Sequence, residues 1–561
     1  MRFDAFGGLD WVAVGAYVCV IVAIGVWATR RSDTSDDYFL AGRSIAWPLV
    51  GLSLFVTNMS GSTLVGLIGG AYQMGLVIYN YEWTAVAALL VLILFFLPVY
   101  RRLGITTAPE FLERRFDTRT RKYFSALALT GNVLIDMAGT LYAGAVVLRV
   151  VAPSLSLEVG VWLLALVAGG YAITGGLRAA VYTDVLQGLL LLFGTACVSA
   201  AAYWQVGGWA AVQNATPPDM RTLILPANSE VLPWPGLCTG LVLLGVYYWC
   251  INQVMVQRTL AARSLQEARH GALLAGALKI PVLFLMVMPG LFAIVLYPNL
   301  QNPDLVFPTL AFDLLPGGLR GLVLVAFVAA VMSTVDSVLN SASSLLTMDF
   351  YAALYPDVSE RRLVIVGRIV AAVVLGIGAV VAPQIAQFSS LWMYLQSALA
   401  YLTPPIVAVF LGGLFARSVN RQAAFYTLLT GSALAVLLLV MEPGLHFLYV
   451  AGLLFLASIG VMGGSAGGCL RRQRRRTRCR CGGGGTWRWS PQRQASWCSY
   501  WQRWPSRSGC CGRKRPVGRR CLCASRRGES AAAEASVAGP FDLERAARYT
   551  ETGSMKPVSP G

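Results

Sequence analysis

SLFVTNMSGSTLVGLIGG (Ser53–Gly70) sits inside an apolar run, yet it places Thr57, Asn58, Ser60, Ser62 and Thr63 where a plain membrane anchor would carry Leu or Val. Further along, GLCTGLVLLG (Gly236–Gly245) leads into VYYWCINQVMVQRTLAAR (Val246–Arg263), which meets two tyrosines, a tryptophan, an asparagine and two glutamines before its first arginine. Small residues that let helices pack closely account for Gly69 and Gly70. They do not account for Asn58, Asn252 and Gln253, whose amides must find partners in a medium that offers none. The two segments fall in the second and seventh apolar runs, five apart. A pair of interrupted spans at corresponding places in two five-helix units points to an inverted-repeat transporter with its site at the bilayer midplane.

The rest of the chain agrees with that class. Of 561 residues, 56% are hydrophobic and only 13% charged. Apolar runs of about 18 residues or more recur, the length that crosses a bilayer core. Backbone amides in lipid must be satisfied within the protein, so the spans are helices or a closed barrel, and these runs lack the alternation of barrel strands. The prediction is an all-α polytopic membrane protein of about 13 transmembrane helices, at 11–29, 46–71, 77–100, 123–150, 156–174, 178–203, 236–256, 271–297, 317–348, 362–382, 388–415, 422–440 and 445–463. The first run follows a slightly acidic leader and reaches Arg30 and Arg31 without a small-residue cleavage site, so it reads as a retained helix rather than a signal peptide.

Lysine and arginine gather in alternate loops: TRRSDTSDDYFLAGR, RRLGITTAPEFLERRFDTRTRK, QRTLAARSLQEAR, SERR and RSVNR. By the positive-inside rule these loops are cytoplasmic and the amino terminus is outside a cell (inner or plasma) membrane. The net charge of +18 belongs wholly to one tail, since Cys469–Gly528 holds 17 Arg and one Lys with no acidic residue. This charge therefore says nothing about nucleic-acid binding by the membrane portion. The tail reads either as coding DNA translated out of frame from near Gly464 or as a basic arm for anionic lipid head groups. Its cysteines lack the histidine partners and CxxC pairs of a zinc site. Cys19, Cys197, Cys238 and Cys250 read as small core residues.

Five segments carry a family resemblance: YNYEW (Tyr79–Trp83), GGLRAAVYTDVLQG (Gly175–Gly188), YYWCINQVMVQRTLAAR (Tyr247–Arg263), ALKIPVLFLMVMPG (Ala277–Gly290) and MSTVDSVLNSASSLLTMDFY (Met332–Tyr351). In this order they resemble the sodium:solute symporters, and within them the sodium/glucose cotransporter subgroup, over roughly residues 10–463. The resemblance implies a five-plus-five inverted-repeat core with broken helices, the amino-acid/sodium symporter-like fold. It divides the chain into a peripheral first helix and loop (1–45), a first five-helix repeat (46–203), a second (236–415), accessory helices (416–463) and the atypical tail (464–561).

The resemblance also implies a sodium site made of the main-chain carbonyls of Val56, Met59 and Ala330 with the hydroxyls of Ser333 and Thr334. Oxygen ligands suit a small hard cation, and a broken helix supplies free carbonyls. Without the motif, Ser333 and Thr334 would read as hydroxyls bonded back to the preceding turn. Asp336, deep in a span, supports a second cation, orients the first site or pairs with a buried hydroxyl. Asp184 matches an aspartate associated with cytoplasmic sodium release, against a plainer role in capping or in pairing with Arg178. Asp136, also inside a span, receives no role.

For the organic solute the resemblance implies hydrogen bonds from Glu82, Lys279 and Gln396, with Tyr248 stacking beneath the ring and Tyr247 beside it as part of the inner gate. Leu67, Tyr81 and Trp392 fall on the outer gate. A polyol needs such a mixture, because each buried hydroxyl must find a partner while the ring's C–H face suits an aromatic surface. Thr63, Ala85 and Gly245 depart from the sugar-contact pattern, replacing a glutamine, a serine and an asparagine. The expected function is sodium-coupled import of a small polar solute, a monosaccharide first, by alternating access. Inositol or another non-sugar solute, or an uncoupled sensor or uniporter on the same fold, are the alternatives. Sodium is the co-transported ion, and the lipid bilayer the surroundings, with no nucleic acid and no obligate protein partner evident. An enzyme is not expected: only His270 and His446 are present, both near helix ends, without a nucleophile and base or metal-ligand spacing.

Overall fold

The structure, a computed structural model, describes residues 7–29, 40–441 and 444–476. The tail beyond 476, with the cysteines weighed above for zinc, lies outside the described residues, as does most of the first basic loop. Each of the thirteen predicted segments is helical, and among the described residues there is no strand, only the isolated bridges Ile45–Ala262 and Leu225–Pro233. Nine helices among the described residues are long and apolar enough to cross a membrane, and three shorter apolar helices accompany them.

In chain order, α1 is Gly8–Thr29, α2 Trp47–Asn58 and α3 Gly61–Met74. A tight turn through Gly75, whose φ is +80° and whose added Cβ would lie 2.1 Å from the Met220 carbonyl, leads into α4. Helix α4 starts as Asn80–Val91 and continues through a π-turn at Leu92–Phe96 into Leu97–Leu103, where Gly104 stops it in the left-handed region. Helix α5 covers Thr118–Val151, with Asp117 capping it by accepting the Thr120 N–H at 2.9 Å. Helix α6 is Leu157–Val206. It supplies two separate apolar stretches, Leu157–Gly170 and Ala180–Val206, on either side of the segment where the turn at GGLR was predicted. The second half follows as α7 Trp234–Ile251, α8 Gln253–Leu260, α9 Leu265–Ala277, α10 Leu283–Leu296, α11 Leu319–Leu354, α12 Glu360–Gln387 and α13 Leu391–Phe415. Helices α14 (Arg421–Met441) and α15 (Phe447–Arg476) complete the described chain, and α15 continues past the composition break at Gly464.

The burial pattern is that of a bundle solvated by lipid. Helix α11 is buried along most of its length and forms the centre, whereas Leu166 and Val440 are 70% and 76% exposed on outer helices. Apolar surface of this kind is stable facing hydrocarbon and unstable facing water. The start of the first broken helix is tied to the end of the second: Ile45 N–H donates to the Ala261 carbonyl at 3.1 Å, and Arg263 N–H to the Ile45 carbonyl at 3.0 Å. Arg101 strengthens that join by donating to the carbonyls of Leu260 and Ala262 at 3.1 and 2.9 Å.

Candidate functional site

Both polar segments are broken helices. Helix α2 ends at Asn58, and Met59 (φ −82°, ψ 58°) leaves the helical region after donating its N–H to Phe55 O. Ser60 then caps α3 by accepting the Thr63 N–H at 2.9 Å. The carbonyls at the end of α2 have run out of intrahelical partners, and Thr63 Oγ1 donates to that of Asn58 at 2.9 Å. Thr63 thus serves the break itself as well as lining the cavity below. In the second half, Asn252 (φ −58°, ψ 125°) separates α7 from α8 and caps α8 by accepting the Val254 N–H at 2.9 Å. Gln253 Oε1 accepts the Ala108 N–H at 2.7 Å. The amides that made these spans look wrong are the groups that repair the breaks.

Between the two breaks lies a cavity of ≈ 110 Å³. It collects Thr63, Tyr81, Glu82, Tyr248, Trp392 and Gln396 from the predicted solute and gate residues, together with Asn58, Asp136, Trp249 and Gly245. Lys279 does not line it directly but reaches it as one half of an ion pair. Its Nζ lies 2.5 Å from Glu82 Oε2, bonds Asn58 Oδ1, and stands 5.3 Å from the Trp249 ring centroid. Lysine and glutamate are both buried, so each keeps the other's charge supportable. Tyr81 and Trp392 meet edge to face, centroids 5.1 Å apart, and cover the cavity on one side. Leu67 and Tyr247, the other predicted gate residues, are buried and do not line the cavity.

The five positions predicted for a cation are all buried. Thr334 Oγ1 donates to the Ala330 carbonyl at 3.1 Å, and Ser333 Oγ donates to the Asp184 carboxylate. A hydroxyl that donates its proton in this way keeps its oxygen lone pairs available to a cation. Thr334 alone of the five also lines the solute cavity, which makes it the common wall of the two regions. Asp336 is buried at 1% exposure on α11 and does not line the cavity.

Arg258 is where the sequence reading needs its main correction. Read as the marker of the cytoplasmic helix end, it is 1% exposed. Its Nη2 donates to Asp184 Oδ2 at 3.2 Å and to Ser337, its Nε to Ser53 at 2.8 Å and its Nη1 to the Val254 carbonyl at 3.0 Å. Ser53 also donates to Asp184, which therefore holds α2, α6, α8 and α11 in one knot. The partner of Asp184 is Arg258, and the Arg178 side chain lies outside the described residues. Spacing contained the signal. Arg258 follows the break at Asn252 by six residues, about 9 Å of helix, inside a half-bilayer of about 15 Å.

A second charged knot at the same end escaped the sequence reading. Arg121 lies 2.5 Å from the buried Asp349 of α11 and also pairs with Glu113. Thr107 and Ser125 donate to Asp349 as well, fastening the Ala108–Arg115 helix to the core. At the opposite end, the turn Pro303–Leu305 packs against α3 so closely that a Cβ on Gly69 would lie 2.4 Å from the Pro303 carbonyl. From this turn Asp304 accepts the Leu391 N–H, both oxygens at 3.3 Å, and burial pushes its carboxyl up to about 6.

Two helices broken at matched places around a central polar cavity define a secondary transporter of the inverted-repeat class. Residues 38–431 match the sodium:solute symporter family, and the chain belongs to that family, whose members carry a small solute together with sodium. Sodium/glucose cotransporter 1 of Sus scrofa is 34% identical over 512 residues, 80% of this chain and 77% of the relative. Sodium/myo-inositol cotransporter 2 of Sus scrofa is 35% identical over 475 residues, 77% of this chain and 70% of the relative. Among solved structures, a Na+-coupled sialic acid symporter in a substrate-bound outward-open state superposes with a TM-score of 0.73 at 24% identity, over 82% of this chain and 98% of that one. The chain is an integral membrane transporter, and sodium is its co-transported ion.

Proposed function

We propose that this symporter moves a monosaccharide-like polyol into the cell with sodium, unchanged by chemistry, from an amino terminus that lies outside the cell membrane. Thr334 carries the reading: its hydroxyl lies 3.1 Å from the Ala330 carbonyl, itself a predicted cation ligand, and the residue lines the solute cavity. A sodium ion held by the carbonyls of Val56, Met59 and Ala330 and the hydroxyls of Ser333 and Thr334 joins α3's break to α11. It thereby shapes the wall against which the solute rests. Binding free energy is then shared between the two ligands, which is the meaning of coupling.

On the solute side, Glu82, Lys279 and Gln396 present paired acceptors and donors to hydroxyl groups, while Tyr248 supplies an apolar face. Tyr81 and Trp392 close the outer side, and the Arg258–Asp184 knot the inner side, so that Asp184 links release of the ion to opening toward the cytoplasm. Asp336 orients the helix that carries the ion's hydroxyl ligands. Names of relatives favour glucose and inositol alike. The loss of side-chain arms at Ala85 and Gly245 favours a solute with fewer or differently placed polar groups. No protein or nucleic-acid partner is needed for this cycle.

The test is uptake of labelled hexoses and inositols into proteoliposomes with and without an inward sodium gradient. Sodium should stimulate uptake, and Thr334→Ala should raise the sodium concentration for half-maximal rate about tenfold or more, the loss of one ligand oxygen. Absence of sodium stimulation for every such solute would refute the polyol reading. An unchanged sodium requirement in the variant would remove Thr334 from the cation site.

A further inference from the structure

In its ionised form, Asp136 leaves the cavity one negative charge in excess. Glu82 and Lys279 neutralise one another at 2.5 Å. Asp136, on α5, lines the same cavity, and among the described residues no lysine or arginine pairs with it. The side chain acting on its carboxylate is the neutral amide of Asn252, at the second helix break. A carboxylate so placed is costly in a span unless something positive meets it.

Three groups around this cavity lack hydrogen-bond partners. The hydroxyls of Thr57 and Thr140 and the indole N–H of Trp392 are buried without a hydrogen bond, and all three residues line the cavity. Thr140 follows Asp136 by four residues and lies one turn along the same helix face. Buried polar groups in native structures are satisfied, so three unpaired groups in one cavity, beside a carboxylate with no cationic partner among the described residues, describe a ligand. Asp136 and the two hydroxyls supply acceptors to the cavity, and the indole N–H supplies a donor. An ammonium group is donor only and positive, and matches the first set. A hydroxyl on the same molecule matches the indole.

We propose that the preferred solute is a protonated amino derivative of a polyol, an amino sugar or aminocyclitol, whose ammonium group is held by Asp136 with Thr57 and Thr140 while its hydroxyls meet Glu82, Lys279 and Gln396. This rests on the polyol reading above and narrows it. Charge-assisted hydrogen bonds discriminate more strongly than neutral ones, so the aminated solute should be preferred over its neutral parent by about tenfold or more.

The experiment compares kcat/KM for sodium-driven uptake of D-glucosamine against D-glucose, and of an aminocyclitol against myo-inositol, in proteoliposomes of the full chain. The wild type should favour the amine of at least one pair about tenfold or more, and Asp136→Asn should bring that ratio close to one. In the wild type the preference should also vanish as pH rises above the pKa of the free amine, a measurement that does not depend on the variant folding. Sodium-driven uptake that favours the neutral parent would overturn the inference and leave the polyol reading standing. Uptake of neither member of any pair would refute the polyol reading itself. If Asp136→Asn lowers the Hill coefficient for sodium and leaves the amine preference intact, the carboxylate holds an inorganic cation and the proposal fails.

Discussion

Replacing Asp184 by Asn tests whether the buried knot at Arg258 is the inner gate. The substitution preserves shape and leaves an acceptor for Ser53 and Ser333, but it removes the charge opposite a guanidinium that is 1% exposed. At the observed 3.2 Å and an effective dielectric of about 20, the lost attraction is about 5 kcal/mol. Removal of one member of a buried pair costs about 3–5 kcal/mol, which agrees. The closed arrangement of the inner end should thus be weakened about 10²- to 10⁴-fold relative to an open one in which water solvates Arg258. The readout is labelling of Thr57→Cys, in a cysteine-free background, by an impermeant thiol reagent applied to inside-out vesicles. Asp184→Asn should accelerate labelling, and so should Arg258→Gln. Because the neutral pair no longer strands a charge, the double variant should label more slowly than the sum of the single effects requires. Additivity within about 0.5 kcal/mol would show that the two residues do not act as a unit, and the gate argument would fall.

Two further outcomes are expected. A Cβ on Gly245 would touch only Ala88 Cβ, at 3.5 Å, so packing does not demand glycine there; Gly245→Asn should be accepted and should lower the KM for a neutral hexose about 2- to 10-fold by restoring a polar arm. An unchanged KM would show that position 245 does not reach the solute. Asp304 should make the outer turn sensitive to pH. Its carboxyl is pushed from 3.8 to about 6 where the turn docks on α13, so docking is strongest with the group protonated, fully so below about 3.8, and weakens as pH rises through about 6. The span corresponds to about 3 kcal/mol. Sodium half-saturation from outside should therefore be higher at pH 5.5 than at 7.5, and Asp304→Asn should remove the difference; persistence in the variant would assign the pH effect elsewhere.

Much of this was readable along the chain, for a definite reason. In lipid the backbone must satisfy itself, so an apolar run of spanning length can only be a helix, and a polar cluster within it can only be a break, a cavity wall or a buried partner. Ser53–Gly70 and Val246–Arg263 declared the two breaks, their spacing declared the repeat, and Glu82, Gln396 and Tyr248 do converge on one cavity. Pairing was another matter. Whether a charge in a span is exposed at an end or matched inside depends on which helix lies opposite, and contacts such as Arg258–Asp184, 74 residues apart, have no local signature. The same holds for Lys279 with Glu82 and for Arg121 with Asp349. The sequence by itself determined the medium, the helices and the places where they break, because these follow from the solvation of single segments. Only the tertiary structure decided which charges neutralise one another and that Asp136 lines the solute cavity with no lysine or arginine paired to it among the described residues, because electrostatic partnership is a property of distances between helices.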